Sequence, residues 1–248
     1  MGYEAKYLVH GGSLREDLCL QNIQARSRMV LAYLLAGLIP IKYMDSKGFI
    51  LILSSTNLDE ALTGNLTKYD CSSGDINPIG SFSKIELRKF LKWSAVNQGI
   101  KSLEDIANAY PTPELRPLCE KSGKSIQIDE VDLDVTYEEL NIFGRLRKNS
   151  RYGPYSMFIS LLNIWKHLNS QQVSAKVKNF FKHYTMNRHK MTTLTPSICV
   201  GNNTAEDNRF DLRPFIYRCS WEHQFQCIDR KVEELMSEQS KEEEKSSQ

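Results

Sequence analysis

The chain has 248 residues, 41% of them hydrophobic and 25% charged, with a net charge of +2. That is the balance of an ordinary globule with room for one large domain or two small ones, and it excludes an overall basic field that would draw in nucleic acid. The longest apolar run, Met29 to Ile41, is broken by Gly37 and Pro40 and falls far short of the ~20 residues a membrane span needs.

The N-terminal MGYEAKYLVHGG lacks the apolar core of a signal peptide. A first helix is predicted over residues 17–38, with Leu18, Ile23, Ala25, Met29, Val30, Tyr33 and Leu34 on a wide apolar face and a stop before Pro40. Next comes Phe49-Ile50-Leu51-Ile52-Leu53, closed by Ser54-Ser55, a short β-branched run of the kind found in a strand buried on both faces. It is the one strong run of this type, whereas a doubly wound parallel sheet needs several. The strand is therefore expected at a sheet edge or nearly isolated. A helix should open near Asn57, with Asn57 as cap and Glu60 three residues on. Residues 70–82 read as an ordered loop. Further helices are predicted at 84–97, 102–109, 136–150, 155–168 and 171–183, with a polar, acidic, mobile excursion at 119–134. A last helix at 222–237 should run into a disordered tail at 238–248. The cysteines at 19, 71, 119, 199, 219 and 227 show no C-x-x-C pair and no zinc spacing with histidine, so reduced, partly buried thiols of an intracellular protein are expected.

The chemistry-bearing residues concentrate between Ser55 and Lys84. A strand that ends in a small polar residue and opens a helix presents backbone N–H groups where open α/β sheets bind phosphates. Ser55 would sit at that edge, Glu60 in the first helical turn, Lys68 and Asp75 beyond it, and Lys84 at the start of the next helix. One carboxylate and two lysines suit a magnesium–triphosphate ligand. On spacing alone the ligand-free reading is the stronger one. Asn57 and Glu60 make a capping box unaided, and Lys68 and Lys84 read as surface cations. In the first helix Asn22 and Arg26 share a face, which suits an arginine grip on phosphate or carboxylate, and Arg28 points elsewhere; spacing alone favours the plainer reading, a surface salt bridge with Glu16 or Asp17. Residues 176–190, KVKNFFKHYTMNRHK, interleave basic and aromatic residues. RNA binding is one reading; an amphipathic helix with Val177, Phe180, Phe181 and Tyr184 as its apolar stripe is the simpler one.

The string SSTNLDEALTGNLTKYDCSSGDINPIGSFSK resembles the most recognisable stretch of the glutamine-dependent NAD synthetases. HGGSLREDLCLQNIQARSRM upstream, and YGPYSMF, MNRHKMTTLTP and DNRFDLRPF downstream, are similar to the same enzymes in the same order, so the resemblance covers residues 10 to about 235. It implies ATP-dependent amidation of deamido-NAD. An adenylate forms on the nicotinate carboxyl group, pyrophosphate leaves, and ammonia supplied by a glutaminase domain gives NAD and AMP. By matching motif, Ser55, Lys84 and Thr112 fall on ATP positions, with Ser55 standing where bacterial relatives have threonine. Glu60 falls on a magnesium position. Arg26, Lys68, Asp75, His189 and Lys190 fall on deamido-NAD positions.

The same resemblance implies an α/β fold, a partial adenine-nucleotide α-hydrolase-like parallel-sheet domain that is mostly helical in this chain. Residues 1–237 would be the C-terminal part of the synthetase domain. It further implies a cytoplasmic ligase of NAD biosynthesis, with ATP, deamido-NAD and magnesium as ligands, homo-oligomers among its assemblies, and no membrane or nucleic-acid partner. The S-G-G-x-D-S phosphate loop that opens the family's synthetase domain does not occur in these residues, nor does the glutaminase domain. The expectation is a truncated product, a partial gene model or an unusual splice form, inactive alone. The alternative is a catalytically dead binding or subunit-interaction module that associates with a full-length synthetase.

Overall fold

A computed structural model describes residues 2–44, 48–109, 115–117, 135–198, 200 and 218–246. The predicted excursion at 119–134 lies outside the described residues. The remainder is mostly helical, and among the described residues strand pairing is limited to two single parallel bridges, Leu53 with Ile76 and Asn77 with Ser197.

Helix α1 (Leu14–Tyr43) begins at a capping box. The Ser13 hydroxyl accepts the Glu16 N–H at 3.3 Å, and the Glu16 carboxylate accepts the Ser13 N–H at 2.7 Å. The predicted stop before Pro40 does not hold, because the helix continues to Tyr43 with Pro40 buried inside it. A proline lacks the N–H that would reach back four residues, which leaves the Ala36 carbonyl free. Ile50 N–H takes that carbonyl at 3.3 Å, so the break in the helix ladder becomes the dock for the segment that follows.

That segment, residues 49–53, is extended and nearly isolated, as a single run predicts. Its burial on two faces does not hold: Phe49 is 85% exposed, and Leu51 and Leu53 are exposed as well. The wide apolar face of α1 is likewise uncovered. Ala25 and Met29 are buried, but Leu18, Ile23, Val30, Tyr33 and Leu34 face solvent.

Short helix α2 (Leu58–Thr63) starts with the Asn57/Glu60 capping box and ends at Gly64. Gly64 has φ +68°, and a Cβ there would meet Asn187 Cβ at 2.2 Å, so both the turn and the close approach require glycine. Helices α3 (Lys84–Gln98) and α4 (Ser102–Asn108) pack on each other. They are followed by α5 (Tyr137–Gly144), α6 (Pro154–Ile164), α7 (Ser170–Met186) and α8 (Glu222–Ser246). The predicted helix at 136–150 resolves into α5 and a π-helical turn at Arg145–Asn149. Helix α8 runs on to Ser246, through residues where composition predicts a disordered tail.

The core lies where α5, α6, α7 and α8 meet. Phe143 stacks on Phe180 at 4.5 Å between ring centroids and meets Trp165 edge-on at 5.4 Å. Val177, Phe180, Phe181 and Tyr184 are the buried stripe of α7. Those aromatics are therefore not open to stack on RNA bases, and the amphipathic-helix reading of 176–190 is the one observed. The described cysteines, Cys19, Cys71, Cys219 and Cys227, are free thiols, and Cys19 and Cys219 are exposed rather than partly buried. Among the described residues no helix is long and apolar enough to cross a membrane.

Candidate functional site

A cleft of about 390 Å³ opens between α1, the turn that enters α2, the loop at 65–72 and the first residue of α3. Its polar lining includes Asn22, Arg28, Ser55, Glu60, Asp70 and Lys84. The residue beside Ser55 is turned away into a buried network. The buried Ser54 hydroxyl accepts the Gly74 N–H at 2.8 Å and donates to the Thr195 hydroxyl at 2.9 Å, which in turn donates to the Gly74 carbonyl. With Ser54 committed to this network, the exposed Ser55 is left at the cleft.

Glu60 carries both of its readings at once. Its carboxylate accepts the Asn57 N–H at 3.2 Å and the Asn57 side-chain amide at 2.8 Å, which completes the capping box, and the residue also lines the cleft. Its neighbour Asp59, which the sequence reading passed over, is buried and accepts the Lys84 N–H at 2.7 Å. Burial pushes the Asp59 carboxyl up to about 6, against the opposing pull of the Lys84 N–H. This bond ties the start of α3 to α2 and so sets Lys84 at the cleft, with its ammonium 5.9 Å from the Tyr137 ring centroid.

The expected deamido-NAD residues gather around the 64–70 loop rather than inside the cleft. Asn22 and Arg26 do share a face of α1, and that face grips the loop. The Thr67 hydroxyl donates to Asn22 Oδ1 at 2.8 Å, and Arg26 Nε donates to the Lys68 carbonyl at 2.9 Å. The Lys190 ammonium donates to the carbonyls of Gly64 and Leu66, both at 2.7 Å. Burial lowers its pKa to about 8, with Asp70 pulling the other way. His189 is lowered by burial and by the charges of Lys68 and Lys190. Asp75 stands apart, accepting the Ile52 N–H at 2.8 Å and the Tyr33 hydroxyl at 3.2 Å, where it fixes the extended segment. Thr112 lies outside the described residues.

Arg28, expected to point elsewhere, is the arginine on the cleft wall, because positions 18, 21, 22, 25 and 28 form one stripe of α1. Asp70 and Cys71 also line the cleft without having been singled out; burial and then Asp70 push the Cys71 thiol up, while Arg28 pulls it down. The other omission is Arg188, at 0% exposure. Its guanidinium donates to the carbonyls of Ala61 and Leu62 at 2.8 Å and of Tyr184 at 3.0 Å, and lies 4.0 Å from the Tyr184 ring centroid. The available signal was its register. Four residues after Tyr184, it continues the buried stripe of α7.

Among the described residues no group of three or more His, Cys, Asp and Glu side chains could hold a metal ion. Glu60 and Asp70 are the carboxylates on the cleft wall. This fits a magnesium ion held largely by phosphate oxygens with one or two protein carboxylates, and does not fit a self-contained protein cage.

The site is a polar cleft at the entry to a short capped helix, and comparison with known proteins gives the class. The family model described as NAD synthase matches residues 4–193, and the chain belongs to that family. Within it, the chain is 56% identical over 236 residues to the glutamine-dependent NAD(+) synthetase of Arabidopsis thaliana, covering 94% of this chain and 32% of that protein. It is 52% identical over 235 residues to the enzyme of the same name from Homo sapiens, covering 94% of this chain and 33% of that protein. The chain thus spans about a third of the length of the relatives it matches. The crystal structure of a glutamine-dependent NAD(+) synthetase from Cytophaga hutchinsonii superposes with a TM-score of 0.65 at 21% identity, covering 90% of this chain and 33% of that one, which is a likeness of fold.

Proposed function

We propose that this chain is part of the deamido-NAD-amidating unit of a glutamine-dependent NAD(+) synthetase. The observation that carries the reading is convergence. Ser55, Glu60 and Lys84, assigned to ATP and magnesium by motif, line one cleft. In the reaction a nicotinate carboxylate oxygen attacks the α-phosphorus of ATP, pyrophosphate leaves, and ammonia then displaces AMP from the carbonyl with loss of a proton from nitrogen. Lys84 and Arg28 would offset phosphate charge, and the Ser55 hydroxyl would hydrogen-bond a phosphate oxygen. Glu60 would be the one carboxylate on the magnesium ion, which supplies charge neutralisation when bound. Thr112 is assigned to ATP on its motif alone.

Lys190 and Arg26 would serve deamido-NAD by holding the 64–70 loop in shape, since their donors engage its carbonyls. Lys68 belongs to that loop and His189 stands near it, and Asp75 acts one step further out, on the segment that leads to Ser55. The parallel sheet of an adenine-nucleotide α-hydrolase-like domain, with residues 49–53 as one strand, belongs to this proposal too. So do the cytoplasmic setting and the ammonia-supplying glutaminase. Without a phosphate loop in its sequence, the 248-residue chain would not turn over alone.

In a full-length synthetase, the change equivalent to Glu60→Gln is expected to lower magnesium-dependent turnover roughly 100-fold while deamido-NAD binding changes far less. Equal losses in the two would leave Glu60 a capping role and no other. A second reading is favoured by one observation, the uncovered apolar face of α1. On that reading the chain is a catalytically dead module that associates with a full-length synthetase.

A further inference from the structure

Lys84 lines not one cavity but two. Beside the polar cleft, α3, α4 and the loop at 78–82 enclose a second cavity of about 710 Å³. Its walls include Phe82, Leu87, Leu91 and Ile106, and its charged groups are Lys84 and Arg88. Four residues apart, these two leave the same face of α3, and both cations come to 5.9 Å from the Tyr137 ring centroid. Among the described residues neither forms an ion pair. Glu86 on the same helix is held by Ser83 in the cap, and Asp59 receives the backbone N–H of Lys84. At the rim Phe90 and Ile106 remain 56% and 58% exposed.

We propose that this cavity binds an aromatic organic anion, with its flat apolar body between Phe82, Leu87 and Leu91 and its carboxylate or sulfonate at Lys84 and Arg88. A free inorganic anion would shed its water against apolar walls that return no hydrogen bonds. A neutral hydrocarbon would fill the cavity and leave the two adjacent cations with the Tyr137 ring but no anionic ligand group. Only an amphipathic anion answers both, in the pattern of small-molecule sites where an apolar pocket carries a few convergent polar groups. The inference shares Lys84 with the nucleotide reading of the polar cleft; Arg88 and the apolar walls belong to this cavity and not to that cleft.

The test titrates the full 248-residue chain with 8-anilinonaphthalene-1-sulfonate and, in parallel, with N-phenyl-1-naphthylamine, the same ring body without the sulfonate. The expected result is one site per chain with the sulfonate bound about tenfold tighter. Arg88→Gln should remove that preference and leave the neutral probe bound. Leu91→Trp, which fills the cavity, should abolish both. Equal affinity for the two probes, an unchanged preference in Arg88→Gln, or binding that survives Leu91→Trp would each overturn the site, the last by placing the probe on the exposed face of α1. Arg88→Gln alters a half-buried side chain and keeps the test decisive if Leu91→Trp does not fold. A second copy of the chain is the other occupant. Sedimentation that rises with protein concentration in the unaltered chain and not in Ile106→Arg would replace the small-molecule site with a self-contact.

Discussion

Helices α5 to α8 meet over one aromatic core, while α1 and the segment at 49–53 turn most of their apolar side chains to solvent. Both regions are rich in apolar residues; what separates them is whether a partner element lies within the described chain. The stripe of α7 finds three helices to pack on. The buried stripe of α1 is narrow, made of Asp17, Gln21, Ala25 and Met29 and then Ala36 and Pro40. The cleft lies on the seam between these regions. Its α2 wall is anchored in the core through Leu62 and through Arg188, which satisfies carbonyls of α2 itself. Its α1 wall is held by side-chain grips on a loop, among them those of Asn22 and Arg26. A site with one stiff wall and one lightly held wall is poorly preorganised until something covers the second.

Substitutions can sharpen or break this contrast. Phe180→Ala, in the centre of the aromatic core, should destabilise the chain by about 3–5 kcal/mol in urea unfolding. A cost under 1 kcal/mol would mean the core is not packed as described. Arg188→Met should cost about 2–4 kcal/mol, because it leaves buried carbonyls of α2 without a donor. Arg188→Lys, with charge but no planar fork, should recover only part of that loss in thermal unfolding.

Asp59 gives a pH signature of the same anchored wall. Its folded pKa of about 6 lies above the ordinary 3.8, with burial the main cause. The folded state therefore keeps this proton longer than the unfolded chain does. Stability should fall as pH climbs from 3.8 to about 6, and the loss should be complete above that. Asp59→Asn retains an acceptor for the Lys84 N–H and should flatten that stretch of the stability curve by on the order of 2 kcal/mol. An unchanged slope would place the carboxylate in water. The smallest effect belongs to α1, where Leu34→Gln should shift stability by no more than about 0.5 kcal/mol. A loss comparable to that of Phe180→Ala would show that this face is buried after all.

Period and capping chemistry made the helices legible. Asn57 with Glu60 announces α2, and the spacing of Val177, Phe180, Phe181 and Tyr184 announces the buried stripe of α7. Burial was legible only where the described residues supply the cover. Val30 and Phe49 have the chemistry of core residues and are exposed here at 68% and 85%, because a sequence states what an element would bury and not whether its partner is present. Pro40 misled because a proline near a helix end loses one hydrogen bond, and here Ile50 supplies the replacement. At the site, motif carried Ser55, Glu60 and Lys84 to one cleft. Arg28 was hidden because assigning it to the cleft depends on which stripe of α1 faces the loop. Asp59 and Arg188 were hidden because a buried charge is recognised by what surrounds it.

The most direct test of the central claim, that this chain carries a family cleft unable to act without the phosphate loop, is a turnover assay. The purified 248-residue chain is given deamido-NAD, ATP, magnesium and excess ammonia, with a full-length glutamine-dependent NAD(+) synthetase as control, and NAD and AMP are measured. Ammonia is supplied directly, so a missing glutaminase cannot account for a negative result. Loss of a single preorganised donor commonly lowers rate by about 100–1,000-fold, and loss of a whole loop of them should take NAD and AMP formation below detection. Turnover within about a hundredfold of the control, a deficit no larger than one lost donor produces, would contradict the account.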